Sequence, residues 1–310
     1  KIIFPTVSML TKRKFWRYYL QFSKNQWLSS EQIKEIQTEK LRRLIIHAYT
    51  NVPFYKTTFD TLRIKPKDIH NLEDLHKLPI IGKKDFQRAG ISKTSALNKK
   101  ELDYYLDSTS GSTGEPFQFY SEYTDRDIGT ATTLLGYEWT GYKIGEKLVS
   151  LWGYHDADIP TKIYKYLLGQ KDISAFEIDA HFDKIIHFIQ LYNPKLIAAY
   201  SSAIVKLAKL CQEKNIKIVI PRIITSAETL YPEHRRLLQK VFSADVFDRY
   251  GSRELGGIAH ECEAHNGLHI FDESVIVQYK SFAPNHTSKK IIVTHLDKYA
   301  MPLIRYDTGD

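Results

Sequence analysis

Between residues 147 and 251 of this 310-residue chain, short apolar segments alternate with longer amphipathic ones. Runs of β-branched and aromatic residues predict strands at residues 147–153, 172–178, 195–200, 221–227 and 245–251. Apolar residues at helical spacing predict helices between them, at residues 161–169, 181–192, 201–215 and 231–242. Because strands that alternate with helices usually pair in parallel, the pattern predicts an α/β fold with mostly parallel sheets flanked by helices.

The residues on either side of this alternation differ from it. The first hundred residues predict helices, with Ser29 and Gln32 in the pattern of a capping box and Pro53 marking the end of the amphipathic segment that follows. Towards the C-terminal end, apolar segments without intervening helices predict an antiparallel, barrel-like portion. We therefore expect a helical segment over residues 1–100 that packs on an α/β core over residues 101–310, the two forming one large domain.

Composition narrows the class of protein. The chain is 43% hydrophobic and 26% charged, which excludes a disordered tail, a collagen-like fibre and a coiled coil. No apolar run approaches the roughly 20 residues of a membrane-spanning helix, so we expect no membrane span. Cys211 and Cys262 are too few for a disulfide scaffold and suit a reducing cytoplasm.

The net charge is +8, from 44 Lys and Arg against 36 Asp and Glu. This excess favours an anionic partner, which can be a nucleic acid, a membrane face or a phosphorylated small molecule. The basic residues are spread along the chain rather than gathered in a stripe, so we expect a solvated basic surface and no nucleic-acid partner.

A run of small hydroxyl residues and glycines, STSGSTGEPFQFY, occupies residues 108–120 after a predicted strand. Small side chains let backbone N–H groups turn towards phosphate oxygens, and hydroxyl groups donate further hydrogen bonds. The run is not a Walker loop, because Glu115 and Pro116 stand where that pattern requires a lysine and a hydroxyl residue. A phosphate-binding loop and an ordinary surface turn both remain open.

Two further segments bring aromatic and acidic side chains to turns. FDRYGSRELGG, at residues 247–257, contains Tyr250, which can stack on a nucleobase, and Glu254, which can hold Mg²⁺ between phosphates. YAMPLIRYDTGD, at residues 299–310, ends in Asp310, whose carboxylate suits bonding to a ribose diol. Each segment taken alone also fits a turn without a ligand.

Four motifs in this order, TSGSTGEP, TSAE, YGSRE and RYDTGD, resemble those of the adenylate-forming superfamily of acyl-CoA synthetases. The closer resemblance is to the phenylacetate–CoA ligase-like branch, with its coenzyme F390 synthetase-like and CapK-like proteins, and it runs from about Trp27 to the end of the chain. These enzymes use Mg·ATP to activate a carboxylic acid as acyl-AMP and usually pass the acyl group to CoA. The resemblance implies the large N-terminal domain of that fold, ATP, Mg²⁺ and CoA as ligands, and a small carboxylic acid as substrate.

The resemblance also assigns roles to the motif residues. Those expected around the β- and γ-phosphates are Thr109, Ser110, Gly111, Ser112, Thr113 and Gly114. Beside the adenine it places Ala227 and Glu228, with Tyr250 stacked on the ring, and it places Asp310 on the ribose hydroxyls. The expected catalytic residues are Ser252, which reaches the α-phosphate, and Glu254, which coordinates Mg²⁺.

The chain departs from the family pattern in two respects. Arg253 occupies a position where threonine is more common, so Ser252 must take over that contact with the α-phosphate. A small mobile C-terminal domain carrying a lysine would follow Asp310, and it is not among these 310 residues, which begin at Lys1 rather than Met. We therefore expect a piece of a longer protein, which binds ATP but adenylates slowly by itself.

A second candidate site is the segment HECEAHNGLH, whose thiol and imidazole groups are typical zinc ligands. The residues concerned are His260, Cys262, His265 and His269. Their spacing is not that of a standard zinc finger, so a structural Zn²⁺ and a polar loop both remain open.

Three functions are compatible with these observations. The first is an acid–thiol ligase that forms AMP and uses CoA. The second keeps the adenylation but transfers to a capsular-polysaccharide precursor or another non-CoA acceptor, as the CapK resemblance implies. The third is a non-catalytic nucleotide- or nucleic-acid-binding module that exploits the positive charge. The oligomeric state is open, with a homodimer as one possibility.

Overall fold

A computed structural model of the chain describes residues 5, 8, 13–109, 116–153, 159–281 and 289–310. The α-helices are α1 (Phe15–Asn25), α2 (Ser30–Asn51), α3 (Pro53–Thr61), α4 (Lys83–Ala89), α5 (Ile91–Thr94), α6 (Tyr123–Trp139), α7 (Ile159–Leu167), α8 (Ile178–Tyr192), α9 (Ser201–Glu213) and α10 (Pro232–Phe242). Short 3₁₀ helices lie at Pro66–Asp68, Glu73–Lys77, Lys99–Glu101 and Ala175–Glu177.

The strands, in chain order, are β1 (Ile81–Gly82), β2 (Tyr104–Ser108), β3 (Gln118–Glu122), β4 (Leu148–Trp152), β5 (Gln170–Ser174), β6 (Leu196–Tyr200), β7 (Arg222–Ser226), β8 (Asp245–Ser252), β9 (Gly256–Glu261), β10 (Leu268–Ile270), β11 (Val275–Ser281), β12 (Lys289–His295) and β13 (Tyr306–Asp307). The chain divides into two compact units. The first unit comprises Lys1–Trp16, Thr132–Ser252 and Gly257–His269, and the second comprises Arg17–Ala131, Arg253–Gly256 and Ile270–Asp310.

The first unit is built on a seven-stranded sheet in the order β10-β9-β8-β7-β6-β4-β5. Strand β4 pairs in parallel with β5 and β6, and the parallel pairing continues from β6 to β7 and from β7 to β8. Tyr200 is level with Ser226, and Ser226 is level with Arg249, so the carboxyl ends of these strands share one edge. The predicted parallel α/β sheet is confirmed.

Both faces of this sheet are covered, because its strands have apolar residues pointing to either side. One face packs against α8, α9 and α10 through a core that includes Ile186, Ile204 and Phe242. The other face forms a smaller core, in which Tyr137 of α6 packs with Leu196 and further apolar strand residues.

The second unit contains a four-stranded sheet in the order β1-β13-β12-β11 and a separate hairpin of β2 and β3. Strands β11 and β12 pair antiparallel over their whole length, which confirms the predicted antiparallel portion. The hydroxyl of Tyr55, which is fully buried, donates to the Pro302 carbonyl at 3.0 Å and accepts from the Ile304 N–H at 3.0 Å. This side chain ties α3 to the chain that leads into β13.

Local sequence signals explain the ends of several elements. The Ser29 hydroxyl accepts from the Gln32 N–H, and the Gln32 side chain accepts from the Ser29 N–H at 3.0 Å, so the predicted capping box is formed. Helix α2 ends before Pro53, as expected, although Pro53 also begins α3.

The strand predicted at residues 172–178 is wrong in its second half. Strand β5 stops at Ser174, and Ile178, which is fully buried, begins α8. A short apolar run is compatible with either a strand or a helix. Here Ile178 is buried as the first residue of a helix. Among the described residues, no helix has both the length and the apolarity needed to cross a membrane.

Candidate functional site

The predicted phosphate loop begins where the hairpin of β2 and β3 ends. The Thr109 N–H donates to the Phe117 carbonyl at 3.0 Å, and the Phe117 N–H donates to the Thr109 hydroxyl oxygen at 3.1 Å. These two bonds close the neck of the loop, so part of the hydrogen-bonding capacity of Thr109 is used there. The other predicted phosphate ligands, Ser110, Gly111, Ser112, Thr113 and Gly114, lie outside the described residues.

The strand that leads into this loop is held by an ion pair. Arg253 places Nε 3.0 Å and Nη2 2.8 Å from Oδ1 of Asp107, and the same oxygen accepts from the Ser108 N–H at 2.8 Å. Asp107 lies two residues before Thr109, and Arg253 lies directly before Glu254. The pair therefore links the YGSRE motif to the strand that leads into the predicted phosphate loop.

Glu254 is positioned by a tyrosine from a third motif. The Tyr306 hydroxyl donates to Oε1 of Glu254 at 3.2 Å, and both side chains are buried, with 1% and 9% exposure respectively. Burial, followed by the negative charge of Glu254, raises the pKa of Tyr306, so the hydroxyl keeps its proton and remains a donor. The rings of Phe86 and Phe117 pack around Tyr306 at centroid distances of 6.0 and 6.4 Å.

Glu254 offers a magnesium ion a single carboxylate. Among the described residues, no three His, Cys, Asp or Glu side chains are arranged to hold a metal ion. A single oriented carboxylate at Glu254 is nevertheless sufficient for Mg²⁺ that takes its remaining oxygens from phosphates and water.

Asp310 lies on an exposed turn fixed by backbone contacts. The Ile291 N–H donates to the Asp310 carbonyl at 3.4 Å, and the Asp310 N–H donates to the Thr308 hydroxyl at 3.3 Å. Gly309 has a φ of +89°, in the left-handed region that glycine adopts without strain. The turn leaves the Asp310 residue exposed, as contact with a ribose requires.

Ala227 and Glu228 follow the carboxyl end of β7. Ala227 is exposed and has a φ of +67°, a strained conformation for a residue with a Cβ atom. The carboxylate of Glu228 accepts from the Ser202 N–H at 2.6 Å and from the Ser202 hydroxyl at 2.9 Å. Glu228 therefore stabilises the first turn of α9, a contact that the sequence did not predict.

Tyr250 and Ser252 lie half-buried at the carboxyl end of β8. Both belong to the first unit, as do Ala227 and Glu228, whereas Thr109, Glu254 and Asp310 belong to the second unit. Convergence of the two sets on one nucleotide stays a prediction.

The histidines and the cysteine of the predicted zinc site point in different directions. His260 is fully buried and its Nδ1 contacts the Glu261 carbonyl at 2.7 Å. Burial lowers the pKa of His260 to about 4, so the ring is neutral at neutral pH. Since a carbonyl accepts, Nδ1 carries the proton and Nε2 is the acceptor.

The remaining three residues of that set make two separate contacts. His265 places Nε2 2.9 Å from Oδ1 of Asp245 and stacks on the Phe247 ring. Nε2 of His269 lies 3.1 Å from Sγ of Cys262. The four side chains do not form one ligand set in this structure, which therefore gives no support to a structural zinc site.

A buried charge network was not expected from the sequence. Lys298, only 1% exposed, donates to the Ser121 hydroxyl at 2.6 Å and to Oδ2 of Asp125 at 2.7 Å. Nε2 of His295 lies 3.2 Å from the other carboxylate oxygen of Asp125. Burial by itself raises the pKa of Asp125, but the charges and hydrogen bonds of Lys298 and His295 together outweigh it and hold that pKa below its usual range.

Glu122 completes this network at the end of β3. Its Oε1 accepts from the Tyr299 N–H at 3.0 Å and from the Ala300 N–H at 2.7 Å. Burial, and then the charge of Asp125, raise the pKa of Glu122 to about 7. Ion pairing and backbone bonds thus fix both strands of the hairpin: β2 through Arg253, and β3 through Lys298 and Glu122. No sequence motif marked Glu122, Asp125 or Lys298, because their partners lie more than 170 positions away.

Comparison with known proteins agrees with the motifs. The chain is 27% identical over 298 residues to phenylacetate–coenzyme A ligase from Pseudomonas putida, and the aligned region covers 91% of the chain and 66% of that protein. The enzyme of the same name from Escherichia coli is 25% identical over 299 residues, with 91% and 67% covered. No family model matches the chain.

Comparison with solved structures identifies the fold. An open conformation of 2-hydroxyisobutyryl-CoA ligase, in complex with 2-HIB-AMP and CoA, superposes with a TM-score of 0.74 at 16% identity, over 91% of the chain and 70% of that structure. The chain has the fold of an adenylate-forming CoA ligase. The predicted resemblance to the phenylacetate–CoA ligase-like branch is confirmed. The chain spans 66% of the length of the Pseudomonas relative.

Proposed function

We propose that the protein uses ATP to activate a carboxylic acid as acyl-AMP and then transfers the acyl group to CoA. The observation that carries this proposal is the similarity to phenylacetate–CoA ligases over 91% of the chain. The 2-hydroxyisobutyryl-CoA ligase that shares the fold was solved with an acyl-AMP and CoA, which supports the same order of reaction.

The chemistry has two steps. An oxygen of the acid attacks the α-phosphorus of ATP, the bond from that phosphorus to the β-phosphate oxygen breaks, and pyrophosphate leaves. The CoA sulfur then attacks the acyl carbon, and AMP leaves as the thioester forms. Charge stabilisation and positioning around the phosphates supply most of the catalysis in reactions of this kind.

The residues divide this work according to their place in the fold. Thr109 and the loop after it bind the β- and γ-phosphates, since the neck at Phe117 presents that loop at the end of a fixed hairpin. Tyr250 stacks on the adenine and Asp310 binds the ribose diol. Ser252 binds the α-phosphate in place of the residue that Arg253 displaces.

Glu254 holds the magnesium that the reaction requires. When bound, Mg²⁺ neutralises phosphate charge and so makes the α-phosphorus easier to attack. Tyr306 donates to Oε1 of Glu254 and fixes the orientation of the carboxylate, which therefore needs no reorganisation when the metal–nucleotide complex arrives. We place this activity in the cytoplasm, because the chain's two cysteines are both unpaired.

The proposal is tested by acid-dependent ATP–pyrophosphate exchange, followed by detection of the CoA thioester. We expect exchange that requires an acid and Mg²⁺, and a loss of at least tenfold in Glu254→Gln. Glu273→Gln is the matched control, because Glu273 is as buried as Glu254, lies outside the four motifs and accepts a hydrogen bond from Gln21. The absence of exchange by the full-length protein with aryl, short-chain, hydroxylated and dicarboxylic acids alike would refute the proposed activity.

A further inference from the structure

Four polar or aromatic side chains lie together at the carboxyl edge of the seven-stranded sheet. Trp152, Tyr200 and Ser226 are the last residues of β4, β6 and β7, and Arg249 pairs in register with Ser226. The residues two positions earlier in these strands are Ser150, Ala198, Ile224 and Phe247, and they are also level with one another across the sheet. Because side chains two positions apart point to the same face of a strand, Trp152, Ser226 and Arg249 belong to one face, whereas Tyr200 packs partly against the core on the other face.

That face is the one covered by α6. Residues two positions before these side chains, such as Ala198, Ile224 and Phe247, form the small core with Tyr137, and Trp152 packs against it. The edge is therefore the point at which this core opens towards the crevice where α/β sheets bind ligands.

Aromatic rings line this edge. The rings of Trp152 and Tyr200 meet edge to face at a centroid distance of 4.6 Å. A Cβ atom on Gly153 would lie 3.3 Å from the ring of Phe176 and 3.6 Å from the hydroxyl of Tyr200, so the glycine lets these rings approach. Such walls suit the carbon skeleton of an acid.

Arg249 is the charged group on this face. Its Nη2 donates to the Thr133 hydroxyl at 3.1 Å, while its Nε is buried and has no hydrogen-bond partner among the residues that the structure describes. Within the part of the chain that the structure describes, no carboxylate pairs with it. Burial lowers the pKa of the guanidinium, the sign of a cation that lacks full solvation or a counter-ion.

His260, on the neighbouring strand, does not supply the missing charge. It acts electrostatically on the same region as Arg249, but it is neutral, and its buried Nε2 also has no partner among the described residues. A buried guanidinium donor and a buried imidazole acceptor are thus both unsatisfied. Buried polar groups of this kind mark ligand sites more often than structural ones.

We propose that this edge binds the carbon skeleton of the acid and that Arg249 pairs with a second carboxylate on it, so that the preferred substrate is a dicarboxylic acid. This inference rests on the proposed function. A dicarboxylic substrate would differ from phenylacetate, the acid for which the relatives are named, because phenylacetate has a single carboxylate.

The choice of a second carboxylate follows from the reaction. The carboxylate that attacks ATP loses its charge when the acyl-AMP forms, and it remains uncharged in the thioester. Arg249 would then be unpaired for most of the cycle if it bound that group. A carboxylate that does not react stays ionised through both steps and keeps the guanidinium paired.

The test compares matched acids in the exchange assay: phenylacetate with 4-carboxyphenylacetate, and pentanoate with pentanedioate. We expect kcat/KM to be at least tenfold higher for the diacid of at least one pair in the wild type. Arg249→Met should remove that preference, whereas Arg222→Met should keep it, because Arg222 lies at the opposite edge of the sheet and donates to the Thr140 carbonyl.

The outcomes separate the two proposals. Exchange that favours the monoacids in both pairs and is unchanged in Arg249→Met would overturn the role of Arg249 and leave the proposed function intact. The absence of exchange with every acid counts against the proposed function. Thermal shift provides the second readout if Arg249→Met does not fold: Tm of the wild type and of Arg249→Lys should rise with the diacids, and an equal rise with the monoacids overturns the inference.

Discussion

The guanidinium of Arg253 and the carboxylate of Asp107 form an ion pair, with both guanidinium contacts on one oxygen at 2.8 and 3.0 Å. The pair joins the residue before Glu254 to the strand that leads into the phosphate loop. It occurs at a position where the family resemblance leads one to expect threonine, so the substitution has a structural consequence beyond the loss of a hydroxyl.

Arg253→Ala should raise KM for ATP about three- to tenfold, because the loop neck loses one of its supports. The side chains are 48% and 21% exposed, so the free energy of unfolding should fall by less than about 1 kcal/mol. Initial rates of pyrophosphate exchange at varied ATP measure the first quantity and urea unfolding the second. Arg88→Ala removes another ion-paired surface arginine and is the control; an equal change in KM there would contradict the positioning role.

Glu228→Ala should lower the free energy of unfolding by about 1 kcal/mol, since the first turn of α9 loses a charged acceptor for the Ser202 N–H and hydroxyl. Kinetics distinguish this stabilising role from the predicted contact between Glu228 and the adenine. A change confined to stability indicates the helix contact alone, whereas a raised KM for ATP at unchanged kcat indicates contact with the nucleotide as well.

Lys298→Met should destabilise the second unit by about 3 kcal/mol, because it leaves Asp125 buried without its main counter-charge. Adding Asp125→Asn should restore part of that loss, since the double variant removes the unpaired charge. Thermal or urea unfolding of the two single variants and the double variant completes the cycle. Strict additivity would show that the two charges do not interact.

Glu122 gives the network a dependence on pH. Its pKa is about 7 in the folded protein against 4.5 ordinarily, so its contribution to stability is complete below pH 4.5 and is lost as the pH rises through 7. Glu122→Gln should flatten this decline, which has a limiting slope of about 1.4 kcal/mol per pH unit for one proton. Unfolding free energies measured between pH 5 and 8 test this; parallel curves for the variant and the wild type would contradict it.

The fold could be predicted from the sequence because its signals are local. The strands that end at Trp152, Tyr200 and Ser226 have apolar residues on both faces, and the capping box at Ser29 needs only two nearby side chains. The strand predicted at residues 172–178 is wrong in part because Ile178 is the first residue of a helix, which a short apolar window cannot distinguish from a strand.

The candidate site was predictable only where a motif carried it. Glu254 and Tyr306 were both within quoted motifs, yet their hydrogen bond depends on a separation of 52 residues. Arg249 lay within one of those segments without an assigned role, and Lys298 lay in none, because burial of a charged side chain is decided by the tertiary structure. The predicted histidine and cysteine ligands shared a short segment, but strand geometry turned His260 into the core and His265 towards Asp245.

The paired hydrogen bonds between Thr109 and Phe117 make the intervening segment a ring with one attachment to the hairpin. The entropy of closing such a ring changes only slowly with its length. The segment could therefore be exchanged as a cassette, with residues added or replaced, while β2 and β3 keep their register. Binding of the β- and γ-phosphates could be re-engineered there without redesigning the sheet beneath.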